Sequence, residues 1–81
     1  MDNGSVKELL RYIVQSLVKD PDAISIEEVE TGDTVTLQLR VAPEDMGKVI
    51  GRQGRIAKEI RALVKAHGLR DGRKVMVDIL D

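Results

Sequence analysis

The chain has 81 residues, enough for one domain with a single modest core. It contains no cysteine, which excludes a disulfide framework or a cysteine-held zinc site, and Tyr12 is its sole aromatic residue. The formal net charge of −1 hides an asymmetry: residues 1–45 carry four basic against ten acidic residues, net −6, and residues 46–74 carry nine basic against two acidic, net +7. Screening acts over about 8–10 Å at physiological salt, so a ligand touching the second half meets that basic lobe and not the average. The apolar runs are too short to span a bilayer, and the start Met1-Asp2-Asn3-Gly4-Ser5 lacks the pattern of a signal peptide. A cytoplasmic protein is the expectation.

Val6, Leu9, Leu10, Ile13, Val14, Leu17 and Val18 recur at helical spacing and predict a helix over about 5–19. Ser5 followed by Glu8 has the form of a capping box, and Asp20-Pro21 closes the segment. Ile24 and Ile26 then alternate with polar residues over a strand at about 24–30, in which Val29 breaks the phase and predicts a short or bulged strand. Thr31-Gly32-Asp33 reads as a turn, and Val35, Leu37, Leu39 and Val41 alternate as a second strand over about 34–41. Pro43 suits the first turn of a helix over about 43–50, with Glu44 and Asp45 well placed for its dipole. Gly51 ends that helix. A third helix over about 54–67 turns Ile56, Ala57, Ile60, Leu63 and Val64 inward, with Gly68 as its C′ residue. After a polar turn at Asp71-Gly72, Val75, Val77 and Ile79 alternate over a last strand at about 73–80. The order α-β-β-α-α-β predicts an α+β domain with three helices packed on one face of a three-stranded sheet.

The most specific segment is Val49-Ile50-Gly51-Arg52-Gln53-Gly54-Arg55-Ile56-Ala57-Lys58-Glu59-Ile60, in which a loop over 51–54 joins two helices. A bare Gly-x-x-Gly is readily a helix cap followed by a turn. Here the two intervening residues, Arg52 and Gln53, reach for phosphate or base edges, Lys48, Arg55 and Lys58 cluster around them, and the apolar pattern continues through Ile56 and Ile60. Glycines let the backbone and the following helix N-terminus approach an anion closely.

This run resembles the core motif of K-homology (KH) domains, a Val-Ile-Gly-x-x-Gly followed by isoleucine at two helical positions. The order of elements is similar to that of the prokaryotic type II KH fold. The resemblance covers essentially the whole chain and extends to the small bacterial single-KH RNA-binding proteins of the KhpA family. It implies binding of single-stranded RNA, with the glycine loop clamping about four nucleotides by their backbone. Gly51, Arg52, Gln53 and Gly54 would form the clamp, with Lys48, Val49, Arg55, Ile56 and Lys58 beside it. Leu37, Leu39 and Ala57 are candidates for the aliphatic groove that receives the bases. The family further implies an RNA chaperone or post-transcriptional regulator, acting as a homodimer or as a heterodimer with a second KH protein of the KhpB type. It is linked to cell elongation and envelope homeostasis. No enzymatic activity and no cofactor are implied.

With Tyr12 as the sole aromatic there is no platform to stack bases, and recognition should be weak and loosely sequence-specific. Lys58, Arg61 and Lys65 form a basic stripe down the third helix, either a solvated face or a nucleic-acid contact. Arg70, Arg73 and Lys74 read as solubilising charge. Glu27, Glu28, Glu30 and Asp33 lack the spacing of a calcium loop and read as a charged edge that resists strand pairing. His67 has no catalytic neighbours in the sequence, and no metal site is expected. Gly47-Lys48 lacks the remainder of a Walker A loop. Two alternatives remain: a helix-turn-helix binder of duplex DNA, and a KH-like domain serving only in protein assembly.

Overall fold

The computed structural model describes residues 4–80, with side chains from Val6 onward, so the side-chain capping box proposed at Ser5 lies outside what is described, as do residues 1–3. Helix α1 (Gly4–Gln15) buries Val6, Leu10 and Val14, one residue per turn on the face that meets the sheet. It ends four residues before the sequence expectation. The Ser16 N–H is shared between the carbonyls of Tyr12 and Ile13, and its hydroxyl donates to Tyr12 O at 3.0 Å. That local competition unwinds the helix. Leu17 and Val18 continue the apolar pattern from a turn and still pack against the core.

Strands β1 (Ser25–Thr31) and β2 (Thr34–Arg40) form an antiparallel hairpin paired without interruption from Ser25 opposite Arg40 to Thr31 opposite Thr34. The predicted bulge is absent. Val29 breaks the hydrophobic phase because it points to the outer, helix-free side of the sheet, where it is exposed. Gly32 opens the two-residue turn with φ 63°, the positive value a tight hairpin demands. Strand β3 (Lys74–Ile79) pairs parallel to β2, giving the order β1-β2-β3 with β2 in the centre. A parallel neighbour requires a crossover, and the two remaining helices supply it.

Pro43–Asp45 makes a single 3₁₀ turn before α2 (Met46–Ile50), so the predicted second helix is α-helical only in its second part. Helix α3 (Arg55–Arg70) runs three residues beyond the expected end, about 24 Å of helix. Gly68 is therefore not its cap. It is buried inside the helix, where an added Cβ would lie 2.4 Å from Val75 Cγ2. Glycine here lets α3 sit directly on β3. The true stop is Gly72, with φ 75°: Arg73 N–H donates to Gly68 O at 2.9 Å and Gly72 N–H to Leu69 O at 3.0 Å, a Schellman arrangement. All three helices lie on one face, over a core of aliphatic side chains from every element.

Candidate nucleic-acid interface

The glycine loop joins the end of α2 to the start of α3. Gly51 has φ 76° and ψ 176°, a conformation essentially reserved for glycine, and its N–H closes α2 by donating to Gly47 O at 2.9 Å. A Cβ at this position would come within 2.2 Å of Ile56 Cγ1 and 2.9 Å of the Ile56 backbone nitrogen. The first glycine is thus demanded by the packing of the loop on α3. Gly54 is different: it is left-handed at φ 76° and ψ 12°, yet open space surrounds the position of its missing Cβ. Between them Gln53 adopts φ 56° and ψ 25°, the left-handed region that a non-glycine residue enters at a cost of about 1–2 kcal/mol.

Gly54 serves as the N-cap of α3 and contributes no side-chain hydrogen bond, so no side chain closes this helix start. Arg52, Gln53, Arg55 and Lys58 are all exposed around it, and none of their side chains has a hydrogen-bond or ion-pair partner among the described residues. Unneutralised cations next to the positive end of a helix dipole make this the part of the fold best suited to an anion.

Lys48 is held apart from that group. Its Nζ lies 3.3 Å from Asp45 Oδ1, with half of the Lys48 side chain in solvent. Asp45, which the sequence suggests only as a dipole partner, is completely buried. Its two oxygens accept the backbone N–H groups of Lys19, at 3.1 Å, and Asp20, at 3.0 Å. These bonds clip the α1–β1 connection to the start of α2. The Asp20 N–H above all, then the Lys19 N–H and the Lys48 ammonium, hold the Asp45 carboxyl below its ordinary value, against the opposing effect of burial.

The aliphatic candidates divide. Leu37, Leu39 and Val49 have 0% exposure and Ala57 only 4%, so all four belong to the buried interior. The three fully buried side chains hold the helices to the sheet and offer no surface to a ligand; the sequence alternation marks them as inward without showing how deep they lie. Ile56 is half-buried, and Ile50, the last residue of α2, is exposed beside the loop. Arg61 and Lys65 lie further along α3 than the loop, at the free edge of β3. There Arg61 Nε donates to Val77 O at 3.1 Å, and both residues line a cleft of about 600 Å³. Arg73, read as solubilising charge, pairs with Glu30 at 3.3 Å.

An α-β-β-α-α-β chain with a mixed three-stranded sheet, three helices on one face and a Gly-x-x-Gly loop between its last two helices is a type II KH domain. The family model described as the KhpA/KhpB KH domain matches residues 7–79, and the chain belongs to that family. It is 49% identical over 73 residues to the RNA-binding protein KhpA of Caldanaerobacter subterraneus subsp. tengcongensis, covering 90% of this chain and 97% of the relative. Its identity to the RNA-binding protein KhpA of Clostridium acetobutylicum is 49% over 75 residues, covering 93% of this chain and all of the relative. The Aquifex aeolicus protein of the same name is 38% identical over 78 residues, covering 96% and 99% of the two chains. Among solved structures, Era in complex with MgGDPNP and nucleotides 1506–1542 of 16S ribosomal RNA superposes with a TM-score of 0.66 at 22% identity. That match covers 91% of this chain and 28% of Era, and it establishes likeness of fold.

Proposed function

We propose that this protein binds single-stranded RNA through the glycine loop, as its relatives named RNA-binding protein KhpA suggest. The observation that carries the reading is the uncapped start of α3, ringed by the unpartnered side chains of Arg52, Gln53, Arg55 and Lys58. The backbone at Gly54 is open enough for a sugar-phosphate to lie against it, and a stretch of about four nucleotides matches the reach of such a loop. Bases would rest on Ile56 and Ile50, the aliphatic side chains that reach the surface beside the clamp.

Few direct contacts and no aromatic stacking make each site weak and tolerant of sequence, which suits an RNA chaperone or post-transcriptional regulator better than a reader of one motif. Pairing with a second KH domain, in a homodimer or with a KhpB-like partner, would raise avidity without any new contact. The test is a competition in which labelled single-stranded RNA is challenged with unlabelled RNA or with duplex DNA. The RNA competitor should displace the probe at far lower concentration. Preferential displacement by duplex DNA would replace the KH reading with a helix-turn-helix one.

A further inference from the structure

The sheet has two free edges, and they are not equivalent. At the β3 edge, Arg61 Nε donates to Val77 O and fills the acceptor at the middle of the strand. The β1 edge carries no such plug. Leu80 N–H donates to Leu39 O, so Leu37 and Leu39 turn their peptide groups toward β3. The alternate residues Thr36 and Gln38 turn theirs toward β1, in closely hydrogen-bonded pairs with Val29 and Glu27. The two-residue turn at Gly32-Asp33 requires the same phase. The N–H and C=O groups of Ile26 and Glu28 therefore point out of the sheet, and nothing among the described residues meets them.

Side chains determine which strand this edge accepts. β1 is exposed along its whole length except at Ile26. Glu28 lies on the helix side of the sheet and Glu27 on the outer side, and neither carboxylate has a hydrogen-bond or ion-pair partner among the described residues. Apolar Ile26 and Val29 flank this acidic pair, Val29 with 41% of its surface in solvent. A second copy of β1 fits poorly. Antiparallel pairing centred on Glu28 sets the two Glu28 side chains directly opposite each other, and pairing centred on Glu27 does the same to Glu27; like charges so placed are destabilising. The phosphates of a nucleic acid meet the same repulsion. An antiparallel strand whose residues fall in turn opposite Val29, Glu28, Glu27 and Ile26 matches the edge when their order is apolar, basic, basic, apolar.

We propose that the free edge of β1 docks an extended basic segment of another protein as a fourth, antiparallel strand. The segment bonds to the outward peptide groups of Ile26 and Glu28, sets two basic side chains opposite Glu28 and Glu27, and lays apolar ones against Val29 and Ile26. The resulting role, recognition of a basic polypeptide, does not depend on what the glycine loop binds.

The test titrates the full chain with the end-capped peptide Ser-Thr-Val-Lys-Arg-Val-Thr-Ser, reading Kd and amide hydrogen exchange residue by residue by nuclear magnetic resonance. In the free protein the Ile26 and Glu28 amides should exchange fast and those of Glu27 and Val29 slowly; bound peptide should slow Ile26 and Glu28 at least about tenfold. A Glu27→Gln/Glu28→Gln variant, with unchanged circular dichroism, should bind about tenfold more weakly, the scale of two cross-strand charge pairs. A wild-type titration with the peptide N-methylated at its lysine keeps every charge and removes the donor to Glu28 O, so it too should bind at least about tenfold more weakly. No saturable binding at millimolar peptide, unchanged exchange at Ile26 and Glu28, or unchanged affinity in the variant overturns the docking site. Equal binding of the N-methylated peptide overturns it as well, since charge alone then holds the ligand. Protection of the same two amides that grows with protein concentration in the absence of peptide assigns the edge to a second copy, and protection brought by octauridylate assigns it to nucleic acid; either result also overturns the proposal.

Discussion

Alanine at the two loop glycines should have very different consequences. At Gly51 the substituted residue would have to hold φ 76° with ψ 176°, a region that costs about 1–3 kcal/mol. Its Cβ would also overlap the Ile56 side chain and approach the Ile56 backbone nitrogen to 2.9 Å, and a backbone atom in the first turn of α3 cannot step aside. Overpacking of this kind adds about 1–3 kcal/mol. The total of about 2–6 kcal/mol is a large part of the ~4–12 kcal/mol available to a domain of this length. At Gly54 only the left-handed backbone is strained, about 1–2 kcal/mol, because nothing lies within 4 Å of the new methyl group. Urea unfolding followed by far-ultraviolet circular dichroism measures both. With a slope of ~1 kcal/mol per molar urea, the mid-range difference of about 2.5 kcal/mol places the Gly51→Ala midpoint about 2–3 M below that of Gly54→Ala. Gly54→Ala should instead weaken RNA binding in a folded protein. Coincident midpoints, or Gly54→Ala as the less stable variant, would refute the assignment of packing to the first glycine and access to the second.

Gly68→Ala should destabilise the domain by about 1–2 kcal/mol despite alanine's better helix propensity, because the methyl group meets Val75; a double-mutant cycle with Val75→Ala should recover part of that loss. Asp45 is held ionised in the folded state below its ordinary value of 3.8, so it adds stability above about pH 4 and surrenders it as pH falls through the lowered folded value. Asp45→Asn should therefore lower Tm at neutral pH, with the difference from wild type shrinking in acid; a constant difference from neutral pH to pH 2 would show that ionisation is not what the clip uses. Gln53→Gly should relieve left-handed strain and leave stability unchanged or up to about 1 kcal/mol higher, while RNA affinity drops.

The periodic elements were legible in the sequence because their apolar spacing is strong, and the loop because two glycines bracket polar residues within a basic segment. Features that depend on partners distant in the chain were not. Asp45 looks like any acid in a first helical turn; only the fold brings the N–H groups of Lys19 and Asp20 to its carboxylate. Gly68 near a helix end reads as a cap, and it is Val75, on the following strand, that gives it another purpose. Ser16 ends α1 within a run of apolar residues whose periodicity alone predicts continuation. Alternation in β2 marks Leu37 and Leu39 as inward, but a period of two carries no information on whether helices cover that face completely. Arg61 belongs to a stripe by spacing, while its bond to the open edge of β3 depends on which strand forms that edge.

The central claim is that the tip of the glycine loop holds single-stranded RNA. The most direct measurement is RNA retention by an Arg52→Asp/Gln53→Asp variant, by crosslinking and by equilibrium binding, with circular dichroism as the control. Both side chains are exposed, and aspartate tolerates the left-handed backbone at position 53, so the fold should survive intact. Loss of RNA retention with an unchanged spectrum is the expected result. Retention equal to wild type would contradict the clamp.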